Sequence, residues 1–303
     1  SDQWAIQIEG MGIALQRTPF QEGHPFDVAA IEQALREDTH HRISAVLVVH
    51  TDTASGVTSD LAAVRRAIDA VAHPALYVVD VVASLAASPF DMDALGVDVA
   101  LGSSQKGLMM PPGLGFVAVN AKAMAWSARH AEPRFYWDWQ RRDSHNQSAK
   151  FCGTPPLAHI AGLETAIALL EEEGLPHVWA RHQRLAGAVH AAVERWAVPG
   201  ALRFHARRPE TRSVSVTAIE VASGIDPEAL RTVARERFQV AMAGGLGPLA
   251  GRVFRIGHLG DMNEPMILGA LAGIEAAMTV QKIPFGTDGV AAAVAFLAAQ
   301  STR

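Results

Sequence analysis

Lys106 is the residue whose type and position point most directly to chemistry. It lies in DVALGSSQKGLMMPPGLGF (98–116), after an apolar strand-like run and before a loop of Gly, Met and Pro. A nonpolar, partly dry environment favours the neutral amine of a lysine, which is a nucleophile and a base. The chain has four lysines, and Lys122, Lys150 and Lys282 occur in polar or helix-surface contexts. Lys106 is therefore the candidate reactive amine.

Asp80 is the second candidate, because it ends the apolar run LYVVD (76–80). An unpaired carboxylate there is costly, so Asp80 needs a cationic or hydrogen-bonding partner. Two interpretations stay open. Asp80 and Lys106 form a structural ion pair, or they hold an aromatic cofactor between them, with its ring nitrogen protonated beside Asp80 and its aldehyde condensed with Lys106. Pyridoxal phosphate meets both requirements of the second interpretation.

Alternating strands and helices must position these two side chains. Residues 43–50 and 75–82 are short β-branched runs that are apolar on both faces, which is typical of buried parallel strands. The stretch 59–73 predicts a connecting helix capped by Ser59 or Thr58. Further strands are predicted at 97–102 and 115–120. This alternation indicates an open α/β sheet, in which ligands bind beyond the carboxyl ends of the strands.

The C-terminal half predicts two long helices and a second α/β unit. In TPPLAHIAGLETAIALLEEEG (154–174), Thr154 is the expected cap, a proline takes the first helical position, and Gly174 ends the helix. Another helix follows at once, and the stretches 213–221, 226–238 and 252–259 then alternate again. We expect a large domain over 1–173, incomplete at its N-terminus, and a small domain over 174–303.

Composition excludes several classes of protein. A chain of 303 residues usually forms about two domains. The 26 basic and 31 acidic residues give a net charge of −5 without any Lys/Arg-rich tract, so nucleic acid is not an expected partner. No run approaches ~18 uninterrupted apolar residues, so no membrane association is expected. The single cysteine, Cys152, is expected to be packed and agrees with a cytoplasmic location.

Three separated motifs carry a resemblance to a known family. They are HTDTASGV (50–57), VVDVVASLAASPFDMDALGVDVALGSSQKGLMMPPGLGF (78–116) and VFRIGHLGDM (253–262), with FYWDW (135–139) and LEEEGLPHVWARHQRLA (170–186) between them. In order and spacing they resemble the class V aminotransferases, closest to the serine–glyoxylate and alanine–glyoxylate enzymes. The resemblance implies an aspartate-aminotransferase-like α/β fold, pyridoxal phosphate fold type I, with a mostly parallel sheet in the large domain and a smaller C-terminal α/β domain.

The same resemblance assigns residues to the cofactor. It implies that Lys106 binds the aldehyde covalently, Asp80 pairs with the ring nitrogen, Val82 packs on the ring, Thr53 binds the ring hydroxyl and Gln105 contacts the phosphate.

Two more assignments concern the substrate and a second subunit. Arg255 is expected to bind the substrate carboxylate through two parallel hydrogen bonds, which suits a planar guanidinium. Thr154 is expected to reach the phosphate of a neighbouring subunit, which implies a homodimer with shared active sites. The implied reaction is ping-pong transfer of an amino group from serine, alanine or aspartate to glyoxylate or pyruvate.

The sequence departs from the family pattern at two positions that bear on the choice of amino donor. Asp52 stands where Glu is common and Gly153 where an aromatic is common, so the donor stays open. The family pattern begins earlier, with a phosphate-binding segment and a ring-stacking aromatic, so we expect these 303 residues alone to bind cofactor weakly.

The alternatives are a non-transaminating pyridoxal phosphate enzyme and a serine hydrolase. For the hydrolase, Ser103 and Lys106 form S-x-x-K, but S-D-N and K-T-G are missing. His50 stays open between a core and a catalytic histidine.

Overall fold

A computed structural model describes residues 2–130 and 134–300 of the chain. Its strands are β1 (Ala45–Val49), β2 (Thr51–Asp52), β3 (Val57–Thr58), β4 (Leu76–Asp80), β5 (Val99–Ser103), β6 (Gly115–Val119), β7 (Leu202–Phe204), β8 (Val216–Val221), β9 (Ala243–Gly244) and β10 (Val253–Gly257). Its helices are α1 (Asp2–Gly10), α2 (Val28–Glu37), α3 (Leu61–Ala70), α4 (Ala121–Arg129), α5 (Trp139–Arg142), α6 (Gln147–Phe151), α7 (Leu157–Glu173), α8 (Leu175–Trp196), α9 (Pro227–Phe238), α10 (Glu264–Val280) and α11 (Gly289–Gln300).

The first sheet has the order β1-β4-β5-β6 and is mostly parallel, as predicted. The pairs β1–β4 and β4–β5 are parallel, and only the edge strand β6 runs antiparallel to its neighbour in this sheet. Asp80 pairs in register with Val49 on one side and Leu101 on the other. The carboxyl ends of β1, β4 and β5 therefore meet at one edge, where an open α/β sheet binds ligands.

Helix α3 is confirmed between the first two long strands, with a different cap. The expected caps, Ser59 and Thr58, are wrong, because Asp60 accepts a hydrogen bond from the Ala63 backbone N–H at 2.9 Å. The backbone N–H of Ser59 instead donates to His50 O at 2.9 Å, so Ser59 is held in the connection that follows β3. The helix begins one residue later, where a free carboxylate can cap it.

The predicted start of α7 at Thr154 is also wrong. The helix begins at Leu157 after Pro156, and no side chain caps it. A residue before a proline is disfavoured in helical conformation, so the pair Pro155 and Pro156 delays the first turn. The predicted stop is confirmed, since Gly174 ends α7 with φ +81° and α8 follows at once. Cys152, expected to be packed, is exposed.

The second sheet, of order β7-β8-β10-β9, is antiparallel and has its own core. That core packs helices α8–α11 on the sheet around large buried side chains such as Trp196, Phe254 and Leu271. A separate core under the first sheet contains Ile68 and Tyr77. The domain boundary near residue 174 stays a prediction. In the parts of the chain that are described, no helix combines the length and apolarity that crossing a membrane requires.

Candidate active site

Lys106 lies in a compact loop that follows β5. The loop is closed by Met109 N–H donating to Lys106 O at 2.9 Å and Met110 N–H donating to Ser104 O at 3.1 Å. Burial lowers the pKa of Lys106, and the charge of Arg255 lowers it further. Lys106 forms no ion pair with Asp80, nor with any other acid in residues 2–130 and 134–300. The structural ion-pair interpretation is therefore wrong, and Lys106 is a half-buried amine biased towards its neutral form.

Asp80 is the last residue of β4, as predicted. Its Oδ1 accepts a hydrogen bond from the Val82 backbone N–H at 2.8 Å. Burial raises the pKa of Asp80, the Val82 hydrogen bond opposes that rise, and the nearby charge of Asp52 adds to it. A half-buried carboxylate held by one backbone N–H is an acceptor for a cationic group.

Arg255 is brought to the same region from the second sheet. It is 7% exposed, so it is not a surface arginine. Its Nε donates to Gly244 O at 2.7 Å and its Nη1 donates to Thr53 O at 2.8 Å. A guanidinium has five N–H donors, so these two bonds leave three for a ligand. Burial lowers the pKa of Arg255, the Asp52 charge opposes this, and the Arg231 charge adds to it.

The other predicted cofactor residues divide into two groups. Val82 and Thr53 are linked by hydrogen bonds to Asp80 and Arg255 respectively. Gln105 and Thr154 have exposed side chains. Within the described ranges, no hydrogen bond or ion pair joins Thr154 to the other predicted site residues. The structure thus joins Val82 to Asp80 and Thr53 to Arg255, and within the described ranges it joins Thr154 directly to neither pair.

Sequence reasoning missed several residues that build this edge. A Cβ atom at Gly107 would lie 2.1 Å from Leu85 O, so only glycine lets the Lys106 loop pack against the turn after β4. His50 Nδ1 lies 2.9 Å from Ser84 Oγ, and burial lowers the pKa of His50 to about 4. A neutral, hydrogen-bonded histidine fits the core alternative. The glycine carried a signal, since it directly follows the lysine, whereas Ser84 carried none.

Comparison with known proteins identifies the family. The family model for class V aminotransferases matches residues 4–250. The chain is 45% identical to serine–glyoxylate aminotransferase of Methylorubrum extorquens, covering 98% of this chain and 74% of the relative. It is 42% identical to L-aspartate–glyoxylate aminotransferase of Paracoccus denitrificans, covering 97% and 73%. The crystal structure of ureidoglycine–glyoxylate aminotransferase from Bacillus subtilis superposes with a TM-score of 0.86 at 25% identity, covering 96% and 74%. The chain belongs to the class V aminotransferase family.

Membership in the class V aminotransferases confirms the predicted enzyme class, the fold type and the dependence on pyridoxal phosphate. It excludes the serine hydrolase alternative. Consistent with that, Ser103 Oγ, the nucleophile of the S-x-x-K hypothesis, forms no hydrogen bond with Lys106 or with any other described residue.

The residues present fit the cofactor of a class V aminotransferase. Ser103 Oγ is buried and has no partner among the described residues, which is unusual for a hydroxyl. Ser103 is two residues beyond Leu101, the register partner of Asp80, so its side chain lies on the same face of the sheet as that carboxylate. An unpaired hydroxyl and a carboxylate therefore share one face of the sheet, and Lys106 follows the hydroxyl by three residues; a polar ligand with a cationic ring nitrogen and an aldehyde would satisfy these groups.

Proposed function

We propose that this aminotransferase transfers the amino group of a small amino acid to glyoxylate or pyruvate by a ping-pong mechanism, with serine, alanine or aspartate as donor. Two of the relatives named above are a serine–glyoxylate and an L-aspartate–glyoxylate aminotransferase. The observation that supports the proposal is that Arg255, which is bonded to Thr53 202 positions away in sequence, lies near enough to Lys106 for its charge to lower the pKa of the lysine.

Lys106 has two roles in this proposal. Pyridoxal phosphate, when bound, supplies an aromatic ring that accepts the electron pair left by the substrate carbon–hydrogen bond. Lys106 holds the aldehyde end of the cofactor through Nζ. When Nζ is free, it would take the proton from the substrate α-carbon and deliver it to the carbon of the cofactor that carried the aldehyde, and in the second half of the cycle it would move a proton in the reverse direction. Burial favours the neutral amine that both tasks require.

Asp80 keeps a proton on the ring nitrogen of the cofactor. Burial destabilises the carboxylate of Asp80, so a cation placed against it is strongly favoured. Val82 gives Asp80 its orientation through the 2.8 Å backbone bond and offers an apolar side chain to the ring. The Thr53 hydroxyl binds the ring hydroxyl, and Gln105 binds the phosphate.

Arg255 selects substrates that carry a carboxylate. Its two backbone bonds fix the plane of the guanidinium, and the remaining N–H groups present a fork that matches a carboxylate. Because the guanidinium is already oriented, little side-chain freedom is lost when a substrate binds.

We also propose that the enzyme is a homodimer. Thr154 would bind the cofactor phosphate of the second subunit. Its neighbourhood supports an interface, because Phe135, Tyr136 and Trp137 are 62%, 57% and 75% exposed. Exposed aromatic clusters are typical of surfaces that another chain covers. A cytoplasmic location stays a prediction.

An absorbance titration tests the function. Protein loaded with pyridoxal phosphate is mixed with serine, alanine or aspartate, and the spectrum is followed before and after glyoxylate or pyruvate is added. We expect a donor to convert the bound cofactor to its amine form and the oxo acid to restore the starting spectrum. Release of ammonia without any need for an oxo acid would instead support the non-transaminating alternative.

A further inference from the structure

The turn that follows β10, residues 258–262, contacts the Lys106 loop. We refer to it as the Gly260 turn. Gly260 has φ +90°, and a Cβ atom at this position would lie 3.5 Å from Met109 Cγ and 3.9 Å from Lys106 O. The same chain segment carries Arg255 on β10. The Gly260 turn is thus covalently continuous with the strand that holds Arg255 and packs against the loop that holds Lys106.

Arg181, on helix α8, binds the carbonyl side of the Gly260 turn. Its Nη1 donates to Gly260 O at 2.7 Å and to Met262 O at 3.1 Å. Its Nε and Nη2 donate to the two carboxylate oxygens of Glu173 at 2.7 and 2.8 Å. A guanidinium held by a bidentate carboxylate has a fixed plane, so the bonds to the turn have a fixed direction.

His182, the next residue of α8, binds the amide side of the same turn. Gly260 N–H donates to His182 Nε2 at 3.0 Å, and His182 Nδ1 lies 2.7 Å from Val178 O. Since a carbonyl only accepts and an amide N–H only donates, the neutral ring carries its proton on Nδ1. The side chain is fully buried, and burial lowers the pKa of His182, so the ring stays in this form.

We infer that Arg181 and His182 are positioning residues that fix the Gly260 turn and thereby set the placement of Arg255 relative to Lys106. The inference rests on the proposed roles of Lys106 and Arg255. Both backbone polar groups of Gly260 are taken by adjacent residues of one helix, so the peptide units around the glycine cannot rotate without breaking a bond. A freely jointed glycine would otherwise be the most mobile point of this turn.

The test measures the reactivity of Lys106 in cofactor-free chain. Trace acetylation across a pH series, read by mass spectrometry, reports the titration of each of the four lysines. Lys150 and Lys282 are exposed and act as internal references. The variants are Arg181→Ala and His182→Ala, with Arg181→Lys and His182→Gln as milder changes. Arg184→Ala is the matched control, because Arg184 joins α8 to Glu264 at 2.7 Å without touching the Gly260 turn.

We expect the titration of Lys106 to move to higher pH in both alanine variants. Loosening the turn takes the Arg255 charge away from Lys106 and admits water, and both changes favour the charged amine. Labelling of Lys106 below its pKa should fall by roughly threefold, which is a shift of about half a pH unit. His182→Gln keeps an acceptor for Gly260 N–H and should restore part of the loss, and Arg184→Ala should match wild type. If an alanine variant does not fold, the lysine and glutamine variants should show the same shift at reduced size.

Superposable Lys106 titrations in wild type and in all folded variants would overturn the inference, even if the melting temperature fell. Failure of the proposed function gives a different result. In that case wild-type Lys106 would titrate together with Lys150, or Lys106→Ala would still bind pyridoxal phosphate covalently.

Discussion

Two aspartates at opposite ends of the first sheet show how differently its two edges are built. Asp98, just before β5, is buried and saturated. It accepts from Tyr77 N–H, from Asn120 Nδ2 and from Lys122 Nζ, all within 2.9 Å. The carboxylate of Asp80, at the carboxyl end of β4, accepts only the Val82 N–H within the described chain. The amino-terminal edge is closed by its own side chains, whereas the carboxyl-terminal edge keeps a carboxylate for another group.

The two nearby lysines repeat this contrast. Lys122 donates to Asp98 at 2.9 Å and to Ala75 O at 3.0 Å, so its charge is used in holding the sheet to α4. Lys106 has no such acceptor among the described residues, and burial lowers its pKa. A buried polar group left without a partner destabilises the fold, so such groups persist mainly where a ligand supplies the partner. We therefore assign Asp98 and Lys122 to the stability of the fold, and Asp80 and Lys106 to its chemistry.

The largest expected effect comes from exchanging the two lysines in turn for alanine. Lys106→Ala should reduce transamination by ~10³-fold or more, because the covalent anchor and the proton carrier are lost together, while noncovalent cofactor binding persists. Lys122→Ala should keep its turnover and lose stability. Steady-state rates and thermal melts check both variants. Turnover near wild type in Lys106→Ala would remove this residue from the mechanism.

The paired aspartates should show the next largest effect. Asp80→Asn should lower turnover by about 10²-fold or more, because a neutral amide does not keep the ring nitrogen protonated, and should change stability by less than ~1 kcal/mol. Asp98→Asn should leave turnover intact and reduce the free energy of unfolding by ~1–3 kcal/mol, since charge-assisted bonds are lost. Urea denaturation and single-turnover rates separate these outcomes. Equal behaviour of the two variants would abolish the contrast between the edges.

Arg255→Lys tests substrate binding at the carboxyl-terminal edge of the first sheet. A lysine cannot bind the Gly244 and Thr53 carbonyls and a carboxylate in one plane, so KM for the amino donor should rise roughly tenfold through loss of a charge-assisted bond worth ~1.5 kcal/mol. The kcat value should change less than KM. A KM equal to that of wild type would show that another group binds the carboxylate.

The smallest effect concerns two adjacent serines. Ser104 Oγ donates to Pro111 O at 2.8 Å and accepts from Leu114 N–H at 3.2 Å, whereas Ser103 Oγ is buried without a described partner. Ser104→Ala should cost ~1–2 kcal/mol of stability. Ser103→Ala should cost less than ~0.5 kcal/mol and weaken pyridoxal phosphate binding a few-fold. A large loss of stability in Ser103→Ala, with unchanged cofactor affinity, would show that this hydroxyl has a structural partner.

The sequence predicted the elements better than their ends. The apolar run around β4 identifies a strand that is largely buried, the run around β1 identifies a strand of which only Val48 is buried, and Asp80 and Lys106 stand out because they are charged residues beside apolar runs. The cap of α3 could not be chosen among Thr58, Ser59 and Asp60, because the choice depends on the bond from Ser59 to His50.

Contacts between segments that are distant in sequence could not be predicted either, because they also depend on tertiary structure. The bond from Arg255 to Thr53 joins positions 202 apart, and nothing in the local pattern of either segment encodes it. The Gly260 turn likewise meets the Lys106 loop only through tertiary packing. Residues proposed to contact the cofactor or the substrate directly were predicted from the sequence. Residues that hold another chain segment in place were missed.

The most direct test of the proposed site at the carboxyl-terminal edge of the first sheet is to locate the covalently bound cofactor. The protein is saturated with pyridoxal phosphate, reduced with borohydride, digested and mapped by mass spectrometry. The chain has four lysines, so the measurement has four possible outcomes for a single label. We predict the phosphopyridoxyl mass on Lys106, and addition of a donor amino acid before reduction should prevent the label. A label on Lys122, Lys150 or Lys282, or one spread among them, would contradict it.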